Sequence, residues 1–151
     1  IQETERGSKI MPKNTEALEH ELTAASSVEE YLQLNQDNLR SYTLAEYLSY
    51  LLTQKKLTKA QVIQRSGLEQ HYAYHIFAGQ KKASRIKVLA IALGFGLTPE
   101  ETQYLLYYAK VERLYVRNPW DSVLWHALKH HLSVIETNLL LESLSESPLI
   151  Q

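Results

Sequence analysis

Apolar residues recur along this chain at intervals of three and four, and no stretch alternates apolar with polar for long enough to read as a strand. The pattern predicts an all-α protein. Between residues 14 and 40 it predicts two short acidic helices. Asn14 or Thr15 caps the first, with Leu18 and Leu22 on one face. Ser27 caps the second, Glu30 completes a capping box three residues later, and Tyr31, Leu32 and Leu34 supply an apolar side. Thr43 then caps a helix with Leu44, Leu48, Leu51 and Leu52 on one face. Leu57 follows, and Thr58 caps a short helix carrying Val62 and Ile63, which Gly67 ends. The next helix runs over residues 69–78 and closes at Gly79. Ser84 caps another, with Val88, Leu89, Ile91, Ala92 and Leu93 as its buried side, and Gly94 and Gly96 are expected to stop it. Thr98-Pro99-Glu100-Glu101 combines a cap, a proline at the first helical position and acids facing the helix dipole. That helix carries Leu105, Leu106 and Tyr108. Asn118 caps a helix with Trp120, Val123, Leu124 and Leu128. Ser133 caps the last, with Glu136 at the capping-box position and Leu139, Leu140 and Leu144 behind it; the tail from Ser145 is expected to fray.

At 44% apolar, the 151 residues suffice for one compact domain with an appendage, or two very small ones. The expected organisation is an acidic helical arm over 1–41, a central domain over 42–110 and a C-terminal helical pair over 111–151. Met11 is the only methionine, and it is read as the natural start, with residues 1–10 a vector or tag remnant. The chain has no cysteine, which removes disulfides, thiolate chemistry and cysteine-ligated zinc. With no signal-peptide pattern and no apolar run long enough to span a bilayer, the expected location is cytoplasmic, with no membrane partner.

Net charge is −1, but it is unevenly spread. Residues 1–41 carry 4 Lys/Arg against 8 Asp/Glu, residues 42–110 carry 9 against 4, and residues 111–151 carry 3 against 5. The centre is therefore +5 within an acidic chain, an asymmetry that suits attraction to phosphate. No Ser/His/Asp grouping, phosphate-cradling glycine loop or carboxylate dyad is present, so no enzyme activity and no cofactor are expected. His71 and His75, like His126 and His130, stand four apart, a spacing that binds zinc when a third ligand arrives. Tyr72 beside His71 means the metalloprotease helix motif is absent; neither pair is expected to bind metal, and His71 and His75 are read as DNA-facing or solvated. Tyr104, Tyr107, Tyr108, Tyr115, Trp120 and Trp125 make an aromatic-rich region. It either packs between the central and C-terminal helices or forms a homodimer or partner surface.

Two short helices joined by a tight turn that starts at a glycine, Thr58–Ser66 and Glu69–Ala78, have the form of a helix-turn-helix. The second can enter a major groove. Lys81, Lys82, Arg85 and Lys87 follow at once, and a helix start surrounded by cations is expected to receive phosphate oxygens. Leu44–Leu106, with "KKLTKAQVI", "SGLEQHYAYHIFAGQKKAS" and "KVLAIALGFGLTPEE" in order, resembles the lambda-repressor-like helix-turn-helix domain of the XRE family of bacterial and phage regulators. With the acidic arm and "PWDSVLWHALKHHLSVIETNLLL" included, the chain also resembles a subgroup of such proteins from Gram-positive bacteria. The resemblance implies a five-helix domain that binds double-stranded DNA sequence-specifically, as a homodimer and as a transcriptional repressor.

By position it places Lys59 at the family's common glutamine. Glu69, Gln70, His71, Tyr72 and His75 match the exposed positions of the reading helix. From the charge pattern, Lys59, Lys81, Lys82 and Arg85 are expected on the phosphate backbone, with Ile76 and Phe77 turned to the core. The departures are Lys59 itself, Glu69 where serine or asparagine often stands, Ala73 for a larger residue, and no arginine on the reading helix to pair with guanine. These departures support the alternative, a protein-interaction module of adaptor or antitoxin type that reuses the fold.

Overall fold

The computed structural model describes residues 13, 15–39 and 41–149; Asn14 and the stretch 1–10, with Met11, lie outside them. Among the described residues there are nine helices and no strand, so the chain is all-α. It divides into two compact units, at Tyr42 and Thr43.

In the first unit, α1 spans Thr15–Ala24 and α2 Val28–Leu34, and neither buries a residue. Leu22, Val28, Leu32 and Leu34 are all exposed, so of the apolar side expected on α2 only Tyr31 is half-buried. Asn35 holds this unit instead. It is buried, donates to the Glu21 carboxylate (2.9 Å) and the Tyr31 carbonyl (3.2 Å), and accepts from the Lys13 ammonium (3.1 Å). Lys13 is also paired with Glu21, and bonds from Lys13 and Asn35 hold that carboxyl below its ordinary pKa. The capping box at Ser27 is half-formed. Ser27 Oγ accepts from the Glu30 N–H, but the Glu30 carboxylate takes its bond from Ser26 Oγ.

The second unit holds α3 (Leu44–Lys55), α4 (Lys59–Ser66), α5 (Gln70–Phe77), α6 (Arg85–Phe95), α7 (Pro99–Tyr108), α8 (Pro119–Lys129) and α9 (Val134–Ser143). Thr43, Thr58, Thr98 and Ser133 each form a complete capping box, and Ser84 and Asn118 cap through the third helical N–H. α6 is the central element, with every residue from Val88 to Phe95 buried. It packs most closely on α4, and Gly94 is the reason. A Cβ there would stand 2.7 Å from the Val62 carbonyl oxygen and 3.1 Å from the Ser66 nitrogen. Gly94 is therefore a close-approach point inside the helix, not its end. Gly96, at φ 75°, ends it.

The C-terminal pair completes the core of this unit: Leu124, Ala127, Leu128 and Leu141 are inaccessible or nearly so. The tail expected to fray is docked. Leu149 is buried, its N–H donates to Asn138 Oδ1 (2.6 Å), and Trp120 Nε1 donates to the Ser147 carbonyl (2.9 Å). Tyr108 packs against Tyr47 with ring centres 4.7 Å apart, whereas Tyr107 and Tyr115 stay more than half exposed. No helix among the described residues is long and apolar enough to cross a membrane.

Candidate nucleic-acid interface

The turn from α4 to α5 is fixed by two residues. Ser66, fully buried, donates to the Ile63 carbonyl (2.7 Å) and accepts from the Leu68 N–H (3.2 Å). Gly67 follows at φ 74°, a left-handed conformation that costs a glycine little. α5 then divides cleanly. Ala73, Ile76 and Phe77 are buried, while Gln70, His71 and His75 are exposed. His71 and His75 lie one turn apart on one face, and Gln70 adjoins them at the first helical position.

Glu69 closes the start of this helix. Its carboxylate accepts from the His71 N–H (2.9 Å) and the Tyr72 N–H (2.8 Å). These two bonds, the His71 one foremost, hold its pKa below the ordinary carboxylate value. The donors expected to meet phosphate are therefore already satisfied by the chain's own anion.

The cations take three different situations. Lys59, at the first position of α4, is exposed, as are Lys81 and Lys82 in the turn after α5. Among the described residues none of the three has an ion-pair partner. Tyr72, half-buried, donates its O–H to the Lys82 carbonyl (2.8 Å), and the Lys87 ammonium sits 4.9 Å from its ring centre. Tyr72 therefore ties the turn to α5.

Arg85 is not in the open. Its guanidinium is bidentate to Asp121 (2.6 and 3.1 Å) and donates to the Glu112 (2.8 Å) and Arg113 (3.0 Å) carbonyls. The charge pattern put Arg85 on the phosphate backbone; the structure spends it on the segment between α7 and α8. Sequence reasoning gave Asp121 no role, and its pairing with a residue 36 positions away leaves no spacing signal.

The His126 and His130 rings lie 4.3 Å apart between centres, tilted by 40°, and are exposed. Among the described residues no group of three or more His, Cys, Asp or Glu could hold a metal ion. A cleft of about 590 Å³ lies between the ends of α4 and α6 and the start of α9, lined by Arg65, His131 and Ile135 among others. None of the protein-family models, curated proteins or solved structures compared with this chain matches it.

Proposed function

We propose that the chain is a cytoplasmic transcriptional regulator of the XRE type, a repressor that binds double-stranded DNA as a homodimer and reads the major groove with α5. The observation that carries this reading is the division of α5. A buried face anchors it, and an exposed face offers Gln70, His71 and His75 beside the unpaired cations Lys81 and Lys82. Glutamine pairs with adenine through two hydrogen bonds, worth about 1–3 kcal/mol of discrimination. Lys59, Lys81 and Lys82 take the phosphates, and Tyr72 holds the turn in register. Arg85 supports the interface from behind.

The test is selection of bound sites from random duplex DNA, followed by affinity against salt. A Lys81→Ala/Lys82→Ala variant is expected to lower the log–log salt slope by about 0.9 per lost phosphate contact. Gln70→Ala is expected to relax preference at one base pair and leave non-specific binding nearly intact. A two-fold dimer requires two half-sites about one helical turn apart, and light scattering with and without DNA reads the dimer directly. An affinity for duplex that ignores salt sinks the proposal.

Glu69 favours a second reading. A carboxylate at the head of α5 repels phosphate and suits a protein-interaction module. Under that reading no sequence preference emerges from the selection.

A further inference from the structure

The segment joining α7 to α8 has no helix of its own, yet its backbone is pinned at almost every residue. Arg85 donates to the Glu112 and Arg113 carbonyls. Gln103 brackets Leu114, accepting from its N–H (2.7 Å) and donating to its carbonyl (3.0 Å). Asp121 accepts from the Tyr115 N–H (2.8 Å), and Ser122 Oγ donates to the Val116 carbonyl (2.7 Å). Leu114 is buried while Arg113 and Tyr115 on either side of it are exposed, and so is Arg117. Lys110, Arg113 and Arg117 against Glu112 leave this segment net positive. Among the described residues none of these three cations has an ion-pair partner.

The held backbone displays exposed cations around an exposed tyrosine, and they add little to stability. Their charge suits a ligand of opposite sign. The clamp that holds the loop, Arg85, is the first residue of α6 and stands three residues after Lys82. Lys82 is in turn bonded to Tyr72 of α5. Arg85 thus links the loop to the start of α6, which follows Lys81 and Lys82 in the chain.

Resting on the DNA reading above, we propose that loop 110–117 is a second DNA-contacting element. It grips the phosphate backbone of the duplex beside the site read by α5. Arg113 and Arg117 are the contacts, with guanidinium groups suited to bidentate bonds to phosphate. They add affinity and fix the register of α5 without reading bases.

The experiment measures affinity of the full chain for a labelled duplex across a salt series. Arg113→Ala/Arg117→Ala is expected to lower the log–log slope by about 1.8, two contacts at about 0.9 each, with the same preference among sequences. Arg113→Lys/Arg117→Lys is expected to keep the slope. The clamp uses main-chain groups of the loop, so the alanine variant keeps it, and an unchanged unfolding midpoint verifies that. If the slope is unchanged in the alanine variant while Lys81→Ala/Lys82→Ala lowers it, this inference fails and the DNA reading stands. If the wild type shows no salt-dependent affinity for duplex, both fail.

Discussion

Arg85 makes four hydrogen bonds to three residues, and two of them go to a carboxylate whose side chain is only 6% exposed. Removing one member of such a pair leaves the other charge buried and unpaired, which costs about 3–5 kcal/mol. Arg85→Ala is therefore expected to lower the urea midpoint sharply. Lys81→Ala, at an exposed position, should change stability by less than about 0.5 kcal/mol and leave the midpoint almost unmoved. Equal shifts would show that Arg85 is an ordinary surface cation. Arg85→Lys should fall between, because an ammonium cannot reproduce the fork. Glu69 works in the opposite direction. Its carboxyl is held below its ordinary pKa by the two N–H groups at the head of α5. The cap is thus fully present above the unfolded carboxylate value and is lost as pH falls through the lower folded one. At neutral pH it is an anion at the head of the helix proposed to read DNA. Glu69→Ser keeps a capping oxygen and removes the charge. Several-fold tighter duplex binding is expected, read by fluorescence anisotropy, with the gain shrinking as salt rises. A variant that binds no better places the head of α5 away from phosphate.

At the scale of the element, what was legible in the chain is what is decided within three or four residues. Thr43, Thr58, Ser84, Thr98, Asn118 and Ser133 each cap the helix they precede, since a cap is a bond to an N–H three positions on. The division of α5 follows from the period of the helix in the same way. What could not be read is decided at long range. Gly94 has the look of a helix stop, but its role is set by Val62 and Ser66 on another helix. Lys56, Lys110, His131 and Ser145 adopt positive φ without being glycine, and nothing local marks them. The pinned loop depends on Gln103, Arg85 and Asp121 meeting it in space, and the charge pattern could only count Arg85 as one cation among several. Gly94 provides the test. Alanine is a better helix former than glycine by about 1 kcal/mol, so local propensity predicts that Gly94→Ala stabilises α6. The backbone of α4 cannot yield to a contact of 2.7 Å, and overpacking costs about 1–3 kcal/mol. Because the α4–turn–α5 unit rides on that contact, the substitution is expected to lower stability on chemical denaturation and to weaken DNA binding with it. A raised midpoint would mean that α4 moves away at no cost.

For the whole molecule, the decisive matter is where the second unit ends. By sequence it closes near residue 110, with a helical extension beyond. In the structure Thr43 to Leu149 share one core: Leu114, Val123, Leu124, Ala127, Leu128, Val134, Leu141 and Leu149 are all buried. α8 packs on both α6 and α7, and α9 on α6. Truncating a single buried leucine to alanine costs about 2–5 kcal/mol. A domain has only about 5–15 kcal/mol in total. Losing five such leucines and two buried valines, together with the Asp121 partner of Arg85, exceeds that margin. A fragment covering 43–149 is therefore expected to unfold cooperatively, with a midpoint close to that of the same unit in the full chain. A fragment covering 43–110 is expected to lack a cooperative transition and to bind no duplex, although it retains every residue of α5. This also bears on the proposed dimer. Deleting 111–151 removes part of the fold, so loss of dimer in that fragment cannot place an interface there. Substitutions at exposed positions of α9, such as Ile135→Glu, test the interface with the core intact. Cooperative folding of 43–110 by itself would show instead that α8 and α9 are an appendage, and that α4 and α5 take their geometry from the first five helices of the unit.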